Sequence, residues 1–303
     1  MKLLAENQTG APQSQADPFA LLENGRYYIY ATGRSGVHLY ESDTLGDFTY
    51  SGICYSRDGW DDYWAPAVIK LGEKFYLYYS AKPKDQDDAH AQALAVAEAD
   101  SPAGPFAYIG QIAAPFSIDA HPALYHGDPY LFYSVNDTAC ERVGTLIVLD
   151  KLIAPDKLEG KPVVAVRPTL DEEIFKRDRF RPGQHWHTLE GACYLYRDGV
   201  HYLMYSGSAY TNPTYFVGYA AAKGEPTDMR ELKFEKMPDA HTYAPLLCQN
   251  DFVEGTGHNS TVSFAGREWI VYHGRDRCPG ADRVMRADVL QIEDGKLSVK
   301  ITP

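Results

Sequence analysis

Five side chains able to do chemistry recur at one spacing along this sequence. Asp17, Asp119 and His258 each lie 11 residues before the leading aromatic of a short strand-like motif, and Trp64 and Glu190 lie 12 before theirs. Two carboxyl groups held in different environments can serve as acid and base on one bond. A third carboxylate beside the acid raises its pKa, because like charges resist a second ionisation. A tryptophan face can stack on a flat ring. Taken singly, each residue is ordinary at a strand start, where Asp is common in turns. The shared register argues that they meet.

The motif that sets this register is a repeat. An aromatic, two apolar residues, then usually Tyr and a small polar residue appear as Tyr28-Ile29-Tyr30-Ala31-Thr32 and Tyr76-Leu77-Tyr78-Tyr79-Ser80. The pattern returns as Tyr130-Leu131-Phe132-Tyr133-Ser134, Tyr202-Leu203-Met204-Tyr205-Ser206 and Trp269-Ile270-Val271-Tyr272-His273. Each copy follows a turn signal, at Asn24-Gly25, Leu71-Gly72, His126-Gly127, Asp198-Gly199 and Ala265-Gly266. Each therefore reads as the second strand of a β-hairpin. The copies start 48, 54, 72 and 67 residues apart, enough for a four-stranded blade of about 40–50 residues with longer loops. Helical periodicity is scarce, with Leu170 to Lys176 the best stretch. The expected fold is all-β, a five-bladed β-propeller forming one catalytic domain over residues 1–303. Innermost strands of a propeller run in the same direction, so their starting ends converge on one mouth of the axis.

The net charge of −12 repels phosphate backbones and anionic lipid surfaces, which argues against nucleic-acid and membrane partners. No apolar run is long enough to span a bilayer. Met1 to Gln15 is polar after Leu3-Leu4-Ala5 and lacks the apolar core of a secretion signal. The five cysteines are odd in number and in no metal spacing, and read as reduced thiols of a cytoplasmic protein. Oligomeric state is not written in the sequence.

The motifs Ala16-Asp17-Pro18, Trp64-Ala65-Pro66, Ser117-Ile118-Asp119, Glu190-Gly191-Ala192 and Gly257-His258-Asn259-Ser260 occur one per repeat. In this order they resemble glycoside hydrolase family 43 over essentially the whole chain. The resemblance implies a five-bladed propeller that cleaves glycosidic bonds with inversion. It implies Asp17 as the general base activating water, Glu190 as the general acid, and Asp119 as the group that tunes and orients the acid. It places His258 on the axis, where in many relatives the histidine helps hold a metal ion, often calcium, through waters. No cofactor is required by the chemistry, and such a calcium would be structural. Arg283 stands where relatives place an arginine on sugar hydroxyls, with Arg286 as its rival. Ala192 replaces a frequent proline, and His121-Pro122 after Asp119 is unusual. A related fructan-cleaving clan retains configuration, but its signatures are missing here.

Trp64 is expected to be a sugar platform, and Trp186, in His185-Trp186-His187, to contact sugar. The His-x-His pair has no evident third ligand for zinc. Arg57 to Tyr63 reads as a loop at the mouth, Lys82 to Asp88 as a solvated charged loop, and Asp150 to Arg181 as an excursion between blades three and four. The expected function is an inverting exo-glycosidase releasing terminal pentose from short oligosaccharides, as α-L-arabinofuranosidase or β-xylosidase. The alternatives are a non-catalytic carbohydrate-binding propeller, and an exo-galactosidase or glycoside phosphorylase on the same scaffold. Phosphorolysis needs a cationic cluster, for which only Arg283 and Arg286 offer themselves.

Overall fold

Asn24-Gly25, His126-Gly127, Asp198-Gly199 and Ala265-Gly266 carry positive φ at both residues, the conformation of two-residue type I′ hairpin turns. They close the hairpins Phe19–Glu23 with Arg26–Ala31, Ser117–Tyr125 with Asp128–Asp137, Trp186–Arg197 with Val200–Gly207, and Val253–Phe264 with Arg267–Asp276. The fifth hairpin, Trp60–Leu71 with Lys74–Pro83, turns at Gly72. This is a computed structural model, and it describes residues 1–3 and 10–302. Residues 4–9, within the stretch expected to lack a secretion signal, lie outside the described residues.

Each hairpin gains two further antiparallel strands. These are Val37–Ser42 and Thr49–Tyr55 in blade I, Ala93–Ala99 and Ala107–Gln111 in blade II, and Gly144–Ala154 and Val163–Val166 in blade III. Blade IV adds Phe216–Lys223 and Glu235–Lys236, and blade V adds Val284–Glu293 and Lys296–Val299. The innermost strands touch in the order I, II, III, IV, V and back to I. The fold is the expected five-bladed propeller. Blades III and IV are further joined by a parallel pairing of Gly144-Thr145 with His187-Thr188. Met1 to Leu3 also adds to blade V, through Leu3 N–H to Met285 O and Ala287 N–H to Met1 O.

The tyrosine-rich composition is spent mostly between blades. The rings of Tyr30, Tyr78 and Tyr130 are fully buried. A buried tyrosine must still satisfy its hydroxyl. Tyr30 donates to Pro102 O at 2.5 Å, Tyr78 to Pro155 O at 2.8 Å and Tyr125 to Pro226 O at 2.6 Å. In each case the carbonyl belongs to the next blade, so one contact buries an aromatic and clasps a seam.

The backbone explains the mixed spacing of 11 and 12. In every blade the residue 11 before the repeat aromatic has positive φ: Asp17 at 54°, Ala65 at 45°, Asp119 at 59°, Gly191 at 62° and His258 at 46°. The ladder slips beside this position in blades II to V. A bulge of this kind re-aims the neighbouring side chains. The functional candidates are the bulge residue itself in blades I, III and V, and the residue before it in blades II and IV.

Three local expectations are corrected. Leu170 to Lys176 is one 3-10 turn, Asp171–Glu173, followed by the strand Ile174–Lys176. The buried Glu173 carboxylate takes the Thr169 and Leu170 N–H groups and the Lys236 ammonium, which caps the start of the turn. Asp150 to Arg181 is not one excursion, since it contains the end of one blade III strand and the whole of another. Lys82 is buried rather than solvated, and pairs with Asp62 at 3.1 Å and Gln86 O at 2.7 Å. Among the described residues no helix is long and apolar enough to cross a membrane.

A Cβ on Gly144 would stand 1.9 Å from the His187 carbonyl oxygen. Gly144→Ala is therefore expected to destabilise the fold by about 3 kcal/mol, as overpacking at a rigid seam does. A lower urea midpoint at unchanged slope is the measurement that checks it.

Candidate active site

The bulges bring Asp17, Trp64, Asp119, Glu190 and His258 to one end of the axis, around a hollow of about 120 Å³. Arg283 lines it too, as do Thr32, Ile118, Tyr210 and Tyr215. Arg286 does not. It is buried within blade V, with Nη2 on Asp276 at 2.5 Å. Trp186, expected to contact sugar, is also absent from the lining. It is 4% exposed and lies beneath Arg179, whose guanidinium sits 4.3 Å from its ring, and Phe180. His187 is engaged with Arg142 and Val143 O, and His185 with the Asp178 N–H, so the His-x-His pair is held by protein partners. His121, whose role the sequence left open, takes the Tyr194 N–H on Nε2 at 3.1 Å and straps blade III to blade IV.

A bulge leaves a buried N–H that the ladder cannot satisfy. At three seams the fifth residue of the preceding blade's repeat motif meets it. Ala65 N–H donates to Thr32 Oγ1 at 2.9 Å, His258 N–H to Ser206 Oγ at 2.7 Å and Asp17 N–H to His273 Nδ1 at 3.1 Å. At the seam between blades III and IV the acceptor is a catalytic candidate, with Gly191 N–H donating to Asp119 Oδ2 at 3.0 Å. The small polar residue ending each motif was the signal available for Thr32, Ser206 and His273. Tyr210 and Tyr215 lie in the segment 208–215 between strands, outside any repeat register.

Asp17 is surrounded by four side chains. Thr32 Oγ1 donates to Oδ2 at 2.6 Å, while His273 Nδ1 lies 3.3 Å, and Arg283 Nη1 and His258 Nδ1 each 3.5 Å, from Oδ1. Burial pushes its pKa up, but His258, Arg283 and His273 outweigh that and hold the carboxyl well below the usual range. Both imidazoles are themselves pushed down, chiefly by burial, His273 to about 4. At neutral pH both rings are uncharged, His273 Nδ1 accepts from the Asp17 N–H, and Arg283 is the charge that offsets Asp17. Glu190 is pushed up to about 7, first by burial and then by the Asp17 charge, against the hydroxyl of Tyr215 donating to Oε1 at 2.8 Å. Asp119 is raised by burial and then by Glu190 and Asp17. One carboxylate is thus kept ionised and two are biased to hold a proton.

Calcium takes six to eight oxygen ligands. Among the described residues no group of three or more His, Cys, Asp or Glu side chains is arranged to hold a metal ion. The carboxylates nearest His258 are already occupied, Asp17 by Thr32 and Arg283 and Asp119 by the Gly191 N–H. These side chains do not form a site that ligates calcium directly; the water-bridged ion expected at His258 would ask only for its imidazole.

The sequence profile of "Glycosyl hydrolases family 43" matches residues 11–297. The chain belongs to this family. This family 43 member is a glycoside hydrolase, of a family in which inversion is typical. It is 28% identical to "Extracellular exo-alpha-(1->5)-L-arabinofuranosidase" of Streptomyces chartreusis over 83% of this chain and 77% of that protein. It is 27% identical to "Alpha-L-arabinofuranosidase B" of Pyricularia oryzae over 87% of this chain, but spans only 55% of that protein's length. Its fold superposes on a "thermostable family-43 glycoside hydrolase" with TM-score 0.77 at 30% identity, covering 95% of this chain and 93% of the other. It also superposes on an α-L-arabinofuranosidase from Lactobacillus brevis with TM-score 0.78 at 22% identity, covering 95% and 94%, a likeness of fold.

A hydrogen bond donated to a carboxylate favours the charged form and lowers its pKa. Tyr215→Phe is therefore expected to raise the Glu190 midpoint above about 7. Carboxyl carbon NMR of the labelled side chain reads the shift directly.

Proposed function

We propose that this glycoside hydrolase releases terminal pentose from short oligosaccharides with inversion, as an α-L-arabinofuranosidase or β-xylosidase. Asp17 acts as base on water and Glu190 as acid on the leaving oxygen. The observation that carries this reading is the split between two carboxyls of one hollow, Asp17 held ionised beside Arg283 and Glu190 raised to about 7. Inverting hydrolysis needs this pair, one to take a proton from water and one to give a proton to the departing sugar. Asp119, itself raised by burial and by the Glu190 and Asp17 charges, holds the Gly191 N–H and so fixes the backbone beside Glu190.

The size of the hollow supports exo action. At about 120 Å³ the hollow is much smaller than the cavity of about 620 Å³ over blade IV, which suits one terminal ring rather than a length of chain. Trp64 supplies a flat wall, and Arg283 lies across Tyr210 at 4.7 Å from its ring. Arg283 is committed to Asp17, and Arg286 lies outside the hollow. That leaves no cationic cluster for phosphate, which favours hydrolysis over phosphorolysis. A lectin would have no use for a split carboxyl pair. The cytoplasmic location expected from the sequence is not favoured by the S. chartreusis relative, which is named as extracellular.

On aryl pentosides, Asp17→Asn is expected to lose at least about 10³-fold in kcat whatever the leaving group, the scale of a lost general base. Glu190→Gln is expected to lose as much on poor leaving groups and little on dinitrophenyl pentosides, which depart without a proton. Full activity of either variant on an alkyl pentoside would remove that residue from its role. The rate should fall as pH rises through about 7, because the acid works protonated. Dialysis against a chelator should leave the rate unchanged, since Arg283 already supplies the charge beside Asp17.

A further inference from the structure

A second cavity, of about 620 Å³, opens over blade IV at the same end of the ring. The segment 208–215 is the partition between it and the hollow. Tyr210 and Tyr215 face the hollow, whereas Ser208, Asn212 and Thr214 line the second cavity. The links on either side of blade IV supply the remaining walls, including Phe175, Tyr243 and Gln249.

The chemistry of this lining points to a neutral, hydroxyl-rich ligand. Asp171 and Glu172 are balanced by Lys176 and Arg177, so no net field attracts an acid or a phosphate. The side chains of Asn212, Thr214 and Gln249 have no hydrogen-bond partner among the described residues. Tyr243 is 38% exposed, and its ring is fixed edge-on against Phe216 at 5.0 Å and 88°. A held aromatic face beside free amides and a hydroxyl suits the C–H face and hydroxyls of a sugar.

Direction follows from the acid. The leaving oxygen must face Glu190, which stands on blade IV and is gripped by Tyr215 of the partition. The base side is built by Thr32, His273 and Arg283 of blades I and V. The rest of a chain cut in the hollow therefore departs past the partition, toward blade IV.

We propose that the second cavity binds the leaving-group side of a neutral oligosaccharide whose terminal sugar sits in the hollow. This rests on the reading of Glu190 as the acid and of the reaction as exo-hydrolysis.

The experiment compares kcat/KM on an aryl pentoside with kcat/KM on linear pentose oligosaccharides of increasing length. In the wild type the ratio of long chain to aryl substrate is expected to rise with length. Tyr243→Ala and Gln249→Ala should each lower that ratio about tenfold, the scale of one lost stacking or hydrogen-bond contact, with the loss in KM. Tyr243→Phe keeps the ring and should keep the ratio. A wild-type ratio that ignores length, or variants that share the wild-type ratio, would overturn the proposal. Failure to cleave any pentoside overturns the functional reading instead. Calorimetry of the longest chain on the intact protein still tests the cavity in that case. Weaker binding by Tyr243→Ala supports it, and equal binding sinks it.

Discussion

Each blade has, in or just before its innermost strand, a residue forced into left-handed backbone, and at four of the five seams its N–H faces an acceptor on the preceding blade. That hydrogen bond must be met, since an orphaned buried donor costs about 1–3 kcal/mol. Thr32, Ser206, His273 and the Asp119 carboxylate meet it at four seams. The same contacts that shut the ring therefore orient the groups in the hollow. Thr32 is the clearest case, because its hydroxyl accepts from Ala65 of blade II while donating to Asp17 of blade I. Stability of the seam and aim of the base cannot be altered independently there.

Closing the ring forces a second constraint. Three carboxyls share a desolvated space with one committed cation, Arg283, and cannot all be charged. The structure resolves this by position. Asp17 receives the guanidinium and the Thr32 hydroxyl, whereas Glu190 receives the Tyr215 hydroxyl, and Asp119 the Gly191 N–H with the uncharged His258 ring 3.8 Å away. Asp119 and Glu190 are both raised, Asp119 by burial and then by the charges of Glu190 and Asp17, Glu190 by burial and the Asp17 charge. Burial does most of the work, which makes exclusion of water as important as any single neighbour.

The repeat was legible because hairpin chemistry is local. Aromatic strands after turns such as Asn24-Gly25 announce themselves in a short window, and counting back from them found Asp17, Trp64, Asp119, Glu190 and His258. The ambiguity between 11 and 12 residues was a trace of the bulge, whose left-handed residue is always at 11. What stayed hidden depends on contacts between blades. Tyr215 could not be singled out, since nothing in the segment 208–215 repeats. Trp186 looked exposed beside two histidines, yet Arg179 folds back over it from the same link. Nor did the sequence reveal that Tyr30, Tyr78 and Tyr125 serve as clasps whose hydroxyls reach a proline carbonyl of the next blade.

Three of the side chains around Asp17, namely His258, His273 and the Arg283 that offsets its charge, belong to the last of the five blades to leave the ribosome. Asp17 itself emerges with the first. While the chain is being made, solvent alone keeps this carboxylate charged. The burial that takes the water away and the guanidinium that replaces it arrive in one event, the docking of blade V on blade I.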